Sequence, residues 1–390
     1  MLEIKQRSLR LTGVLLIIGL LSVACGDESG SSPSSITQVV EGVEEPQPDQ
    51  TSGEVVGEES EAGGEAPTTS SQESVDFGEA VTLNLGHPFP AKHPIQVRAL
   101  ENWAAEVKEL TRDTVTIEFF AGGALGPAPQ TYENAVSGAA DIGWALQGYT
   151  PGRFPVTDVI EMPFVFSSAL QATNVLWTLY EEFEAFQEEY SDVKLLAMWV
   201  HDVGDMWLAE GRVEEIRDLE GLTIRAPSPV QNAVIAALGG NPVALPAPDL
   251  YDALERGVID GLFIPDSGLI SFNLFDVISG GVQCNCYVAA QFLAMNLDRW
   301  NSLSTAQRSA IDKVSGRVLS QRMGSVYDSI SESAAEQLAE AGVVKILLSQ
   351  QELDRWRQAA QGVIEDWIAD NAGAFPSREI YLRMLRLLGI

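Results

Sequence analysis

A strand–helix alternation that runs once, stops and begins again constrains this chain most. Val81–Gly86 alternates apolar and polar side chains and ends at glycine, which predicts a strand. Ile95–Leu110 then places Val97, Leu100, Trp103, Ala104 and Val107 at helical spacing. Val115–Phe120 and Asp141–Leu146 read as two further strands with the helical segment Thr131–Ser137 between them. A helix over about 168–189 leads to a strand at Lys194–Val200. The pattern restarts with strand Leu222–Ala226, helix Pro229–Leu238, strand Asn241–Leu245 and helix Asp249–Arg256. Phe292–Met295 is strand-like and precedes a helical stretch over about 304–341, too long for one ordinary helix; a final helix covers about 350–370. Such alternation predicts mostly parallel sheets with crossover helices. Two runs predict two α/β lobes, with the long helical stretch as a strut between them.

Charge narrows the partners. The chain carries 55 Asp+Glu against 24 Lys+Arg, a formal net charge of −31 over 390 residues. Residues 26–75 hold twelve carboxylates and no Lys or Arg, and residues 76–390 retain a net of −21. Nucleic acid is excluded, because binding polyphosphate needs neutralising Lys and Arg. A polybasic attachment to anionic lipid fails for the same reason. The 315 residues after the acidic stretch exceed the roughly 250–300 at which one core stops growing, so two lobes are expected on size alone.

The first 25 residues read as an export signal. Lys5, Arg7 and Arg10 precede an apolar run, Leu11–Ala24, which is short for a membrane span. Ser22 and Ala24 then lead to Cys25, an order that resembles a bacterial lipobox, in which the cysteine is lipidated and becomes the mature N-terminus. Ser22 stands where a lipobox prefers Leu, with Leu21 one position earlier. The alternatives are ordinary signal cleavage, or an uncleaved anchor with Cys25 incidental. Lipidation is favoured because free cysteine is uncommon in exported chains. Residues 26–75 lack aromatic side chains and are rich in Ser, Gly, Glu, Pro and Thr. They cannot bury enough apolar area to offset their ordering entropy, which predicts a disordered, self-repelling tether.

The body resembles the solute-binding subunits of tripartite ATP-independent periplasmic (TRAP) transporters, the DctP-like family. The resemblance runs in order over about 80–370. Gly86-His87-Pro88 with His93-Pro94 matches the opening strand and loop. Phe120–Gly126, Ser137–Gly143, Phe154-Pro155 and Met162–Phe166 resemble the family's next turns. Asp218–Arg225, Leu238–Val243 and Tyr251–Gly261 continue in register. The resemblance implies a periplasmic-binding-protein-like fold: two α/β lobes around a ligand cleft with a long inter-lobe helix. With it, residues 76–390 divide into lobe I (about 78–201 and 288–325) and lobe II (about 202–287 and 326–390). The implied function is extracytoplasmic capture of an organic carboxylate, followed by delivery to TRAP membrane subunits. A sensing receptor of the same fold feeding a membrane sensor is the alternative, and a surface hydrolase is a more distant one.

The resemblance puts the ligand's carboxylate on Arg225. Arg225 also ends an apolar strand, where open α/β sheets bind ligands, and its guanidinium fork matches a carboxylate. The residues alone allow another reading, an ion pair with Asp218 or Asp260. His87, Tyr149, Trp207, Phe263 and Asp266 are placed beside Arg225 as ligand contacts. Many members of the family carry a second Arg in an "NGFR" segment and a ligand-touching Asn in a "DGQENP" segment. Here His201–Trp207 and Asp260–Pro265 depart from both, while Gly148–Pro155 resembles a "GyypGrFP" subgroup. Loss of that polar pair predicts a monocarboxylate with an apolar or aromatic body.

No metal or other cofactor is expected, since His87, His93 and His201 have no Cys or acidic cluster to complete a metal site. A disulfide across one residue closes a strained small ring, so Cys284 and Cys286 read as free, buried thiols, with a weak redox pair as the alternative. No nucleophile elbow or phosphate loop is present, and no catalytic residue is assigned.

Overall fold

A computed structural model describes residues 76–390; the export signal, Cys25 and the acidic tether lie outside the described residues. Its strands, in chain order, are β1 (Val81–Gly86), β2 (Val115–Phe120), β3 (Ile142–Leu146), β4 (Val193–Val200), β5 (Gly204–Leu208), β6 (Thr223–Ala226), β7 (Asn241–Ala244), β8 (Gly261–Pro265), β9 (Gly280–Tyr287), β10 (Ala290–Asn296) and β11 (Val344–Leu347). They form two sheets, ordered β2-β1-β3-β10-β4 and β11-β9-β5-β8-β6-β7, with helices packed on both.

Both sheets are mixed, where the alternation predicted mostly parallel ones. β1 runs parallel to β2 and β3, but β10 is antiparallel to β3 and β4. β6 runs parallel to β7 and β8, but β5 is antiparallel to β8 and β9. The reason is the crossing between lobes. The chain leaves the first sheet through β4 and the short link 201–203, and returns through 288–289 into β10. A strand that comes back across the hinge must run against the one that left. The two links touch, His201 N–H donating to the Ala289 carbonyl at 3.3 Å.

The long helical stretch is broken at Ser315–Gly316, where Gly316 adopts a φ of +67°. Thr305–Val314 and Arg317–Glu340 are the resulting helices. The second begins against helix Ala169–Glu182 and β4 of the first lobe and ends with Leu338 in the apolar cluster of the second. Helix Gln350–Asn371 covers helix Pro229–Ala237 of the second lobe. The final helix, Ser377–Leu388, then returns to the first lobe, where Arg383 holds Glu182 with two 2.7 Å hydrogen bonds. That end of the chain was expected with the second lobe. Among the described residues no helix is long and apolar enough to cross a membrane.

Cys284 and Cys286 correct another expectation: they form a disulfide. A regular strand separates alternate Cα atoms by about 6.6 Å. Here Asn285 sits in the left-handed region, with φ of +48°, and shortens the Cα separation to 4.9 Å. The Asp205 carboxylate accepts hydrogen bonds from the Cys284 and Asn285 amides, which holds this kink in place.

Candidate functional site

β6, next to the edge strand of the second sheet and between β7 and β8, delivers Arg225, whose side chain is 1% exposed. Nε donates to the Leu245 carbonyl at 2.8 Å and Nη1 to the Phe263 carbonyl at 2.9 Å. Nη2 is buried and finds no partner among the described residues. The ion pair that the sequence allowed is absent. Asp218 instead accepts from the Glu214 and Glu215 amides, and Asp260 from the Thr223 amide. A buried cation without a counter-charge costs several kcal/mol. An anion with an oxygen at Nη2 would offset that cost.

Arg225 lines a cavity between the lobes. Phe89, Phe272, Tyr287 and Tyr327 supply aromatic walls, and His93 and His201 complete them. Tyr287 lies in the field of Arg225, and its hydroxyl has no hydrogen-bond partner among the described residues. Burial lowers the pKa of His93 to about 3, helped by His87. Burial likewise lowers that of His201 to about 4, against a hydrogen bond to the Asp202 carbonyl. Both rings are neutral at pH 7, which leaves Arg225 as the one cation among the residues lining the cavity.

The lobes are closed over this space. Tyr149, from the first lobe, reaches across so that its hydroxyl accepts from the Ala247 amide at 2.9 Å beside Arg225. The Ser228 hydroxyl donates to the Glu161 carboxyl, and Gln231 Nε2 donates to the Glu161 carbonyl at 2.8 Å. Burial pushes Glu161 up to about 8, with Asp158 adding to it. Gly148 touches the second lobe so closely that a Cβ there would lie 2.4 Å from Ser228 Cβ and 2.8 Å from the Pro227 carbonyl oxygen.

Of the expected contacts, Arg225 lines this cavity, Tyr149 lies beside Arg225 without lining it, and the others do not line it. The Phe263 ring stacks behind Tyr287 at 5.5 Å, so Phe263 acts through its carbonyl on Arg225. His87 lies one layer back, bonded to Gln96 Oε1 at 2.9 Å and packed on Trp144. Trp207 does not line the cavity and sits in the second lobe's own apolar cluster, with the Lys345 ammonium 5.2 Å from its ring. Asp266 is paired with Lys345 in a separate, wider groove also lined by Asp202, Asp205, Asp328 and Glu332. That groove's charge repels anions. Phe89, Phe272, Tyr287 and Tyr327 were not anticipated. They come from a loop, a helix end, a strand end and a mid-helix turn, positions with no shared pattern. His93 had one signal, its place in the loop with His87.

The family model for bacterial extracellular solute-binding protein, family 7 (DctP), matches residues 85–371. The chain belongs to this family. It is a solute receptor of the TRAP type, an extracytoplasmic class of protein. A TRAP solute-binding protein from a marine metagenome, described as specific for aromatic acid ligands and bound to 3-hydroxybenzoate, is 26% identical. It superposes with a TM-score of 0.76, covering 80% of this chain and 99% of that one. A TRAP protein from Rhodoferax ferrireducens T118 with copurified benzoate is 26% identical, with a TM-score of 0.74 over 80% and 98% of the two chains. One from Bordetella bronchiseptica with bound (R)- and (S)-mandelate is 25% identical, with a TM-score of 0.75 over 79% and 99%.

Proposed function

We propose that this receptor captures a monocarboxylate with an aromatic body and hands it to TRAP membrane subunits, without chemical turnover. The observation that carries this is the unpartnered Nη2 of buried Arg225, a residue in the wall of a ring-lined cavity. A carboxylate accepts from Nη2, and the ring body fills the space between Phe89, Phe272 and Tyr327. A second carboxylate would be buried against neutral histidines, at a desolvation cost with nothing to offset it. The aromatic acids held by the three related receptors support the same reading. Cys25 is proposed as the lipidated N-terminus, from which the acidic tether lets the body reach the membrane subunits.

A thermal-shift screen against organic acids tests the ligand class, because a ligand that binds only the native state raises its melting temperature. Benzoate-like acids are expected to raise it and succinate or fumarate to leave it unchanged. Tight binding of those dicarboxylates with none of aromatic monocarboxylates would overturn the proposal. For the anchor, Cys25→Ser is expected to move the protein out of the membrane fraction; unchanged membrane retention would refute lipidation.

A further inference from the structure

The two histidines of the cavity are held in opposite tautomers by the backbone. His93 Nδ1 accepts the Ile95 amide hydrogen at 3.2 Å. That nitrogen therefore carries a lone pair, and the proton of the neutral ring sits on Nε2. His201 Nδ1 lies 2.5 Å from the Asp202 carbonyl oxygen. A carbonyl only accepts, so this Nδ1 carries the proton and Nε2 is bare. Neither Nε2 has a hydrogen-bond partner among the described residues, and both rings line the cavity. Burial keeps both rings neutral, so the assignment holds across ordinary pH. Each of the two rings has its centroid 6.3 Å from that of the Tyr327 ring.

Two other polar groups of the cavity wall are already committed. The Ser267 hydroxyl donates to Asp202. Gln291 accepts from Trp144 Nε1 at 2.8 Å and donates to the Tyr327 hydroxyl at 2.9 Å. His93 thus offers a free donor and His201 a free acceptor.

We infer that this pair reads a hydroxyl substituent on the ligand, His93 Nε2–H donating to the hydroxyl oxygen and His201 Nε2 accepting its hydrogen. The inference rests on the monocarboxylate reading and narrows it to hydroxylated acids. A hydroxyl both donates and accepts, which matches the pair. A second carboxylate only accepts and meets the His201 lone pair; an ammonium only donates and meets the His93 N–H. An unsubstituted ring leaves both nitrogens dry and unpaired, and sites built around a polar group discriminate strongly against ligands that lack it.

Calorimetric titration of the protein with benzoate and its three monohydroxy isomers tests this directly. At least one isomer is expected to bind about tenfold tighter than benzoate or more, since the unsubstituted ring strands both nitrogens. In His201→Phe and in His93→Phe the ratio of hydroxybenzoate to benzoate affinity is expected to fall to about one, and an unaltered circular-dichroism spectrum of the unliganded variant reports that it is folded. Wild-type protein that binds benzoate as tightly as every isomer would overturn the inference whatever the variants do, and so would a preference that survives both substitutions. Failure of benzoate and all three isomers to bind would instead bring down the aromatic monocarboxylate reading, and the inference with it.

Discussion

Arg225, in the wall of the cavity, commits two nitrogens to the carbonyls of Leu245 and Phe263 and leaves the third, Nη2, unpartnered and its charge uncompensated. In the unliganded protein that charge is a liability. Arg225→Met is therefore expected to leave the unliganded melting temperature unchanged or higher, as replacement of a buried charge by an apolar side chain often does. A drop of several degrees would mean that the two carbonyl contacts outweigh the cation's desolvation. Glu161 belongs to the same scale. Its folded-state pKa of about 8 lies above the ordinary 4.5, and that of Asp202, about 7, lies above the ordinary 3.8; burial is the main cause of both. Their protonated forms favour the fold, so this contribution is complete below the unfolded pKa values and is lost as pH rises through about 7 and 8. The buried histidines act oppositely, but only between their ordinary 6.5 and about 3–4. From pH 6.5 to 8.5 the carboxyl contribution decides the sign. The melting temperature should fall over that window, and Glu161→Gln should flatten the fall; a rise, or a slope indifferent to Glu161, would contradict the assignment.

Closure is a property of elements. The turn carrying Gly148 and Tyr149 meets the start of helix Pro229–Ala237, and the contact at Gly148 is with backbone and Cβ atoms that cannot rotate away. Gly148→Ala is expected to hold the lobes apart. Overpacking of ~1–3 kcal/mol corresponds to an affinity loss of about five- to more than a hundredfold. Scattering should show less ligand-induced compaction, and unaltered affinity would mean that the lobes close without this contact. The same scale shows what could be read in advance. β1 and β2 were legible because their alternation is strict and a glycine or glycine pair ends each. β5, β9 and β11 were not. β9 begins Gly280-Gly281 and includes Asn285, residues that read as loop; yet Gly281 lies under Trp207, where a Cβ would approach the ring to 2.6 Å. Only the folded context reveals that this position needs glycine. Arg225 was singled out by the family resemblance, its strand end alone leaving an ion pair open, whereas Tyr327 looked like any core residue of a long helix. The free-thiol expectation rested on the strain of a ring closed across one residue, whereas the left-handed backbone at Asn285 draws the two Cα atoms together to 4.9 Å.

At the scale of the whole molecule, the charge of −21 on residues 76–390 surrounds a site built for an anion. Long-range steering is then unfavourable, and affinity must arise from Arg225 within the closed cavity. Added salt screens the repulsion beyond the Debye length of about 10 Å at 0.1 M. Stopped-flow association of an aromatic carboxylate should therefore quicken as salt rises from low to physiological strength; a slowing would reveal a local positive field that outweighs the acidic surface. The central claim is that one guanidinium, desolvated and unpaired, captures the carboxylate. Calorimetric titration of Arg225→Met with an aromatic monocarboxylate that binds the parent protein tests it most directly. Removing one partner of a buried charge pair costs about 2–5 kcal/mol, so a loss of about thirtyfold or more in Kd is predicted. Affinity equal to that of the parent protein, in a variant that melts normally, would contradict the account.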